Sequence, residues 1–186
     1  YSEASIVVAI DSESAGDSLS QLTGIDKNVP IVASVAEALQ YNPNVLLIGI
    51  APSGGALPEA WWQEVKQGVE SGLSLVNGLH TPMKKKFDDL PLPSHQWIWD
   101  IRQEPQDLKI GSGKARSLTC QRILTVGTDM AIGKMSTSIE LNRVAQKQGI
   151  KSKFLATGQA GIMIAGDGLP LDAVRVDFAA GAVEHL

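Results

Sequence analysis

A single stretch, residues 122–137, leaves few folds open to this chain; it reads RILTVGTDMAIGKMST. Residues 123–126 are apolar and β-branched enough to predict a buried strand, and a segment bounded by Gly127 and Gly133 follows them. Lys134 then opens a segment that we predict to be helical. A strand, a glycine loop, a lysine and a helix in this order are typical of a phosphate-binding loop, because the loop backbone and the helix start present N–H groups to an anion.

The loop departs from the commonest phosphate-loop pattern at two points. Five residues separate its two glycines, whereas the commonest pattern has about four. Met135 follows the lysine, where the commonest pattern has a Ser or Thr whose hydroxyl binds Mg²⁺. Because a thioether is a poor ligand for Mg²⁺, the sequence predicts phosphate binding and leaves metal-assisted chemistry open, with Ser136 as the candidate metal ligand.

The predicted phosphate site consists of the loop and the first turn of the helix. Its residues are Gly127, Thr128, Asp129, Gly133, Lys134, Met135, Ser136 and Thr137. The five-residue spacing and the Gly-Thr-Asp start of the loop resemble dethiobiotin synthetase and its relatives.

The first half of the chain alternates between strand-like and helix-like segments. We predict strands at residues 5–10, 30–33, 45–50, 73–76 and 97–101, and a helix at residues 59–71. Segments of these lengths favour an open parallel sheet of Rossmann-like type, without the glycine fingerprint that indicates NAD. The predicted fold class is therefore α/β: a Rossmann-like unit over residues 1–110, followed by a P-loop NTPase-like unit over residues 111–186.

The P-loop unit is expected to contain two strands, residues 123–126 and 153–156. The sequence begins at Tyr1, next to the first strand, and stops at Leu186 inside a predicted helix. We therefore expect a fragment of a longer protein, whose Rossmann-like unit lacks its first strand–helix segment and whose P-loop unit lacks its C-terminal part.

The composition excludes several classes of protein. A hydrophobic content of 44% and a net charge of −4 are typical of a globular protein and do not indicate nucleic-acid binding. No apolar run is long enough to span a bilayer. The single Cys120 fits a reducing compartment, so we expect a cytoplasmic protein that acts on a small molecule. We also expect a homo-oligomer, with Trp61 and Trp62 interpreted as core or interface residues.

Four residues outside the phosphate loop are candidates for ligand contact. Gly54 and Gly55 follow a predicted strand and would let an anionic ligand approach the backbone, or would form a plain tight turn. His80 follows another strand, as a base, a ligand or a structural histidine. Gln159 would orient a substrate carbonyl or a water, or would bond the backbone.

Several motifs resemble one bacterial family, catalogued as a domain of unknown function, which includes D-glutamate N-acetyltransferase-like proteins. The motifs are GIAPSGGALP (residues 49–58), NGLHT (77–81), WDIR (99–102), VGTDMAIGKMST (126–137), ATGQAGIMIAGDGLPLDAV (156–174) and DFAAGAVE (177–184). The resemblance covers nearly the whole chain. It implies a Rossmann-like half, a P-loop half and a longer parent protein.

The resemblance also implies an activity, namely acyl transfer from acetyl-CoA to an acidic amino acid such as D-glutamate. The loop would then hold the phosphates of acetyl-CoA, and no Mg²⁺ is needed, which agrees with Met135. A base must deprotonate the amine, and Asp129, His80 and Asp177 are the candidates; Asp177 is alternatively an N-cap of the following helix. Two other functions stay open. One is an ATP-dependent, carboxylate-activating ligase like dethiobiotin synthetase, and the other is a non-catalytic nucleotide-binding protein.

Overall fold

The computed structural model describes residues 4–50, 52, 56–129 and 131–186. The chain divides into two compact units, Ala4–Arg102 and Gln103–Leu186. The predicted ligand-loop residues Gly54 and Gly55 lie outside the described residues.

The first unit contains two parallel sheets. In the smaller sheet, β1 (Ala9–Ile10) pairs with β2 (Ile31–Val32). In the larger sheet, β3 (Val45–Ile48), β4 (Ser74–Asn77) and β5 (Ile98–Asp100) pair in the order β3-β4-β5. Parallel neighbours need crossover connections. Helix α1 (Leu19–Thr23) lies between β1 and β2, and α3 (Glu59–Glu70) lies between β3 and β4, whereas α2 (Val35–Ala38) lies in the segment that leads from the smaller sheet to the larger one. The Rossmann-like, parallel α/β prediction is confirmed.

The core of this unit forms between α3 and the larger sheet. Every residue of the central strand β4 is buried, as expected for a strand that is covered on both faces. Leu75 is fully buried in a cluster with Val65 and Val69 of α3. Gly68 allows the close approach of α3, because a Cβ there would lie 2.8 Å from the side chain of Leu46 in β3. Trp62 packs against the cluster, which confirms the core interpretation for this residue.

The second unit is built from α4 (Lys134–Lys147), α5 (Gln159–Ala165) and α6 (Ala179–His185). Its buried cluster joins α6 to the segment before it, through Leu169, Val174 and Ala182. Short 3₁₀ turns, Lys114–Ser117, Leu171–Ala173 and Val176–Phe178, connect these parts. Among all the described residues, no helix has the length and apolar character needed to cross a membrane.

The two strands predicted for the second unit do not form among the described residues, and that prediction was wrong. Residues 123–126 and 153–156 form no ladder with any described segment. Ile123, Leu124 and Val126 are 77, 83 and 79% exposed. A strand requires a hydrogen-bonded neighbour, and apolar, β-branched composition does not supply one. The sequence pattern therefore identified residues suited to a buried strand, whereas pairing depends on other segments.

Candidate phosphate-binding site

The phosphate loop leads directly into α4, the longest helix of the chain's described part. Gly133 occupies the N-cap position of α4 with a φ of 97°. No side chain of the described residues caps this end of the helix. The first turn contains no acidic residue. Since the first-turn N–H groups and the helix dipole both attract negative charge, the start of α4 is suited to an anionic ligand.

The backbone of the loop turns through two left-handed residues. Ala131 has a φ of 53° and Gly133 a φ of 97°. Left-handed residues interspersed with other conformations turn consecutive N–H groups toward one side, and this is how backbone concavities for phosphate form. Ala131 and Gly133 therefore give the loop left-handed backbone of the kind that such concavities use.

The side chain of Lys134 lies against this loop. Its ammonium Nζ donates a hydrogen bond to the backbone carbonyl of Asp129. Gly127 faces the same side chain, since a Cβ there would lie 3.2 Å from Cδ of Lys134 and would collide with Ile132. The missing side chain of Gly127 thus leaves room for Ile132 and for the lysine stem, and the ammonium of Lys134 lies against the loop backbone.

Three hydrogen bonds of hydroxyl groups connect α4 with the loop and with the segment that precedes the loop. The Oγ1 of Thr125 lies 2.7 Å from the Oγ of Ser138 and donates to the carbonyl of Lys134 at 3.1 Å. Thr137 donates its hydroxyl hydrogen to the carbonyl of Gly133 at 3.0 Å. The predicted metal ligand, Ser136, is a half-buried residue of the first turn. Hydrogen bonds within the protein therefore connect the loop, Lys134 and the start of α4.

The remaining sequence candidates of this unit lie on other segments. Gln159 is the first residue of α5 and is half-buried. Asp177 lies in the 3₁₀ turn before α6, where the N-cap is Phe178 without a side-chain cap bond. The N-cap interpretation of Asp177 is therefore wrong, because the 3₁₀ turn shifts the start of α6 by one residue.

Two carboxylates tie the start of this unit to its C-terminal part. Glu184 of α6 accepts hydrogen bonds from the N–H groups of Ser112 (2.7 Å), Gly113 and Lys114 (2.9 Å), and from the Ser112 hydroxyl (2.9 Å). These bonds, that from the Ser112 N–H above all, lower the pKa of Glu184. The N–H and the guanidinium of Arg175 likewise lower the pKa of Glu104.

The third base candidate, His80, belongs to the first unit. Its Nε2 lies 2.6 Å from Nη1 of Arg102. A guanidinium can only donate hydrogen bonds, so Nε2 is the acceptor and the ring hydrogen is on Nδ1. Arg102 was not among the predicted site residues. The sequence could have indicated Arg102 as a site residue, because it is the first arginine of the chain and directly follows a predicted strand.

A buried polar network supports the loop that carries His80. Asn77, at the end of β4, is fully buried, and its Nδ2 donates to Asp100 (2.6 Å) and to the carbonyl of Thr81 (2.9 Å). Asp100, at the end of β5, accepts the N–H groups of Met83 (2.8 Å) and Lys84 (2.9 Å). The carboxyl ends of two adjacent strands are therefore linked to one loop.

The fold and the loop define a protein with a Rossmann-like unit and a P-loop unit. Residues 12–104 match the Rossmann-like domain DUF1611_N, and residues 109–186 match the P-loop domain DUF1611_C, both described as domains of unknown function. The chain belongs to the DUF1611 family, as the motifs of the sequence predict.

Three relatives illustrate the similarity. Proteins named D-glutamate N-acetyltransferase from a Pseudoalteromonas species and from Tritonibacter scottomollicae are each 38% identical to this chain over 82% of its length. The match covers 46% of each of these relatives. The crystal structure of a DUF1611 family protein from Anabaena variabilis is 60% identical, with a TM-score of 0.93 over 100% of this chain and 54% of that one. This chain thus spans about half the length of the relatives that it matches.

Proposed function

We propose that this protein is an N-acyltransferase, which transfers the acetyl group of acetyl-CoA to the amine of an acidic amino acid such as D-glutamate. One observation supports this proposal more than any other. Lys134 is bonded inside a glycine loop at a helix start, and the residue that follows it is Met135. Such a site suits the phosphates of CoA, and it lacks the hydroxyl that usually binds Mg²⁺ for chemistry on a γ-phosphate.

In this reaction the amine nitrogen attacks the thioester carbonyl, the C–S bond breaks, and CoA leaves as the thiol after taking up a proton. The phosphate loop contributes binding and orientation, which hold the thioester against the amine. A base accepts the ammonium proton before the attack. Asp129, His80 and Asp177 are the candidates from the sequence. The Nε2 lone pair of His80 faces Arg102, which favours the two aspartates, and Asp129 lies in the phosphate loop itself.

An assay of the full-length protein tests the proposal. Acetyl-CoA and D-glutamate are incubated with the protein in excess EDTA, and thiol release and N-acetylated product are measured by a colorimetric thiol reagent and by mass spectrometry. We expect both products in equal amounts. If D-glutamate, L-glutamate and the two aspartate enantiomers all give no acetylated product, the proposal is wrong.

A second function is supported by a different feature of the loop. Its five-residue spacing and its Gly-Thr-Asp start resemble those of dethiobiotin synthetase, an ATP-dependent, carboxylate-activating ligase, and Ser136 of the first turn of α4 would then have to bind Mg²⁺. Calorimetry separates the two functions. Tight ATP binding that disappears in EDTA supports the ligase, and acetyl-CoA binding that EDTA does not change supports the transferase.

We further propose that the protein works in the cytoplasm as a homo-oligomer, without a metal ion or a nucleic-acid partner. The single free Cys120 supports a reducing compartment, and the partly exposed Trp61 on α3 offers a surface for a subunit contact. Size-exclusion chromatography with light scattering tests the oligomeric state.

A further inference from the structure

Two polar residues follow the ends of neighbouring strands in the Rossmann-like unit. β4 and β5 are parallel, with Asn77 opposite Asp100 at their carboxyl ends. His80 follows β4 in the next loop, and Arg102 follows β5. Ligands of open α/β sheets bind beyond the carboxyl ends of the strands, so this pair occupies the edge at which a ligand is expected.

The contact between the two side chains determines what they offer to a ligand. Because Arg102 donates to Nε2 of His80 at 2.6 Å, the neutral ring presents Nδ1–H as a second donor. His80 is exposed and Arg102 is half-buried. A guanidinium and an imidazole N–H together match the acceptor oxygens of a carboxylate. In this arrangement His80 acts as a hydrogen-bond donor, since Arg102 already uses the lone pair that a base needs.

The surrounding network holds this pair in position. Asn77 bonds the backbone on both sides of His80, since its Oδ1 accepts from Leu79 at 3.0 Å and its Nδ2 donates to Thr81 at 2.9 Å. The carboxylate of Asp100 is engaged by the N–H groups of Met83 and Lys84. The loop backbone is therefore held by hydrogen bonds within the protein, and a preorganised donor pair binds an anion at a lower entropic cost.

We propose that Arg102 and His80 form a carboxylate-binding site, and that its occupant is a carboxylate of the acidic amino-acid acceptor. The identity of the occupant rests on the proposed function. The site itself rests only on the two donors and on the strand ends that carry them.

Calorimetric titration of the full-length protein tests this site. D-glutamate, glutarate, succinate and the neutral diamide of D-glutamate are each titrated into the wild type, Arg102→Met, His80→Phe and the matched control His95→Gln. His80 and His95 are both exposed, so their substitution leaves the fold intact. Acetyl-CoA affinity and circular dichroism are measured for every variant as checks on folding.

We expect D-glutamate and glutarate to bind the wild type and His95→Gln equally well, and the diamide not to bind. Arg102→Met and His80→Phe should each weaken the binding of both carboxylates by about tenfold or more, the effect expected from loss of a charge-assisted hydrogen bond. Acetyl-CoA affinity should stay the same. Arg102→Lys should recover only part of the loss, because an ammonium lacks the planar fork.

The outcomes separate the site from the function. If D-glutamate binds the wild type and His80→Phe equally, the site is wrong and the proposed function is untouched. If glutarate or succinate binds the wild type, its affinity falls in the variants, and D-glutamate does not bind, the site is supported and the proposed acceptor is wrong. If none of the three carboxylates binds the wild type, the site is wrong. Should Arg102→Met fail to fold, His80→Phe alone decides.

Discussion

The ammonium of Lys134 donates a hydrogen bond to the backbone carbonyl of Asp129, five residues earlier in the chain. This contact joins the side chain of the lysine to the backbone of the loop. A phosphate that enters the loop would meet a charge that is already positioned, next to the uncapped start of α4.

Lys134→Ala should weaken the binding of a phosphate ligand by about 2–4 kcal/mol, because a charge-assisted contact is lost at a partly buried site. Calorimetry with acetyl-CoA and with ATP on the full-length protein measures the change. Lys147→Ala, at the other end of the same helix, is the matched control and should leave the affinity unchanged. An unaltered affinity of Lys134→Ala for whichever ligand binds would refute the phosphate-loop assignment.

Gly133→Ala should distort the loop, because the φ of 97° at this position is unfavourable for a residue with a Cβ. We expect a loss of about 1–2 kcal/mol in the free energy of unfolding, together with weaker acetyl-CoA binding. Gly158→Ala is the matched control, since Gly158 has a φ of −150° and open space where the added methyl group would lie. Urea unfolding and calorimetry of both variants would decide, and equal behaviour of the two would contradict the prediction.

Removal of divalent metal should leave acetyl-CoA binding unchanged. Met135 offers a thioether where Mg²⁺ would require a hydroxyl, so titrations with and without EDTA should give the same dissociation constant within about twofold, well under the tenfold change that 1.4 kcal/mol would produce. A large loss of affinity in EDTA would favour the ATP-dependent ligase.

Asn77→Ala should destabilise the Rossmann-like unit by about 2–3 kcal/mol, because it removes the buried amide that bonds the backbone of Leu79 and Thr81 and the carboxylate of Asp100. Asn28→Ala, at an exposed position of the same unit, should change the free energy of unfolding little. Denaturant unfolding of the full-length protein, followed by tryptophan fluorescence, makes the comparison. All four tryptophans of this sequence lie before Gln103. A loss of stability as small as that of Asn28→Ala would show that the network contributes little.

Glu184 should make the second unit sensitive to acid. Its pKa is lowered below the ordinary value of 4.5 by the hydrogen bonds from residues 112–114. The stabilisation is therefore complete above that ordinary value and is lost as the pH falls through the lower, folded-state value. The stability difference between the wild type and Glu184→Gln should hold constant at neutral pH and shrink below about pH 4.5. Urea unfolding across this range measures it, and a difference that does not vary with pH would be the contrary result.

Local patterns in the sequence were enough to place most elements of the first unit. The helix expected at residues 59–71 forms at Glu59–Glu70. It was predictable because the proline at its start and the apolar stripe along one side involve only residues that are close in sequence. At the start of α2 the Ser34 hydroxyl accepts the N–H of Glu37 at 3.3 Å, which makes Ser34 a side-chain N-cap. The Glu37 carboxylate accepts the N–H of Ala33, one residue before the cap, at 3.1 Å. In the second unit the helix that the sequence predicts to open at Lys134 forms at Lys134–Lys147.

Tertiary structure decided the contacts between segments that are distant in sequence. The pairing of Arg102 with His80, and of Glu184 with residues 112–114, joins positions 22 and about 70 residues apart. Neither pairing has a local signature, because each partner alone reads as an ordinary polar residue. The buried strand predicted at residues 123–126 was wrong for the same reason, because an apolar pattern does not supply the neighbouring strand that pairing requires. Sequence alone thus determined the long helices α3 and α4, the parallel α/β class of the first unit and the family, whereas only the folded chain determined which donors meet which acceptors, since that choice depends on how distant segments pack.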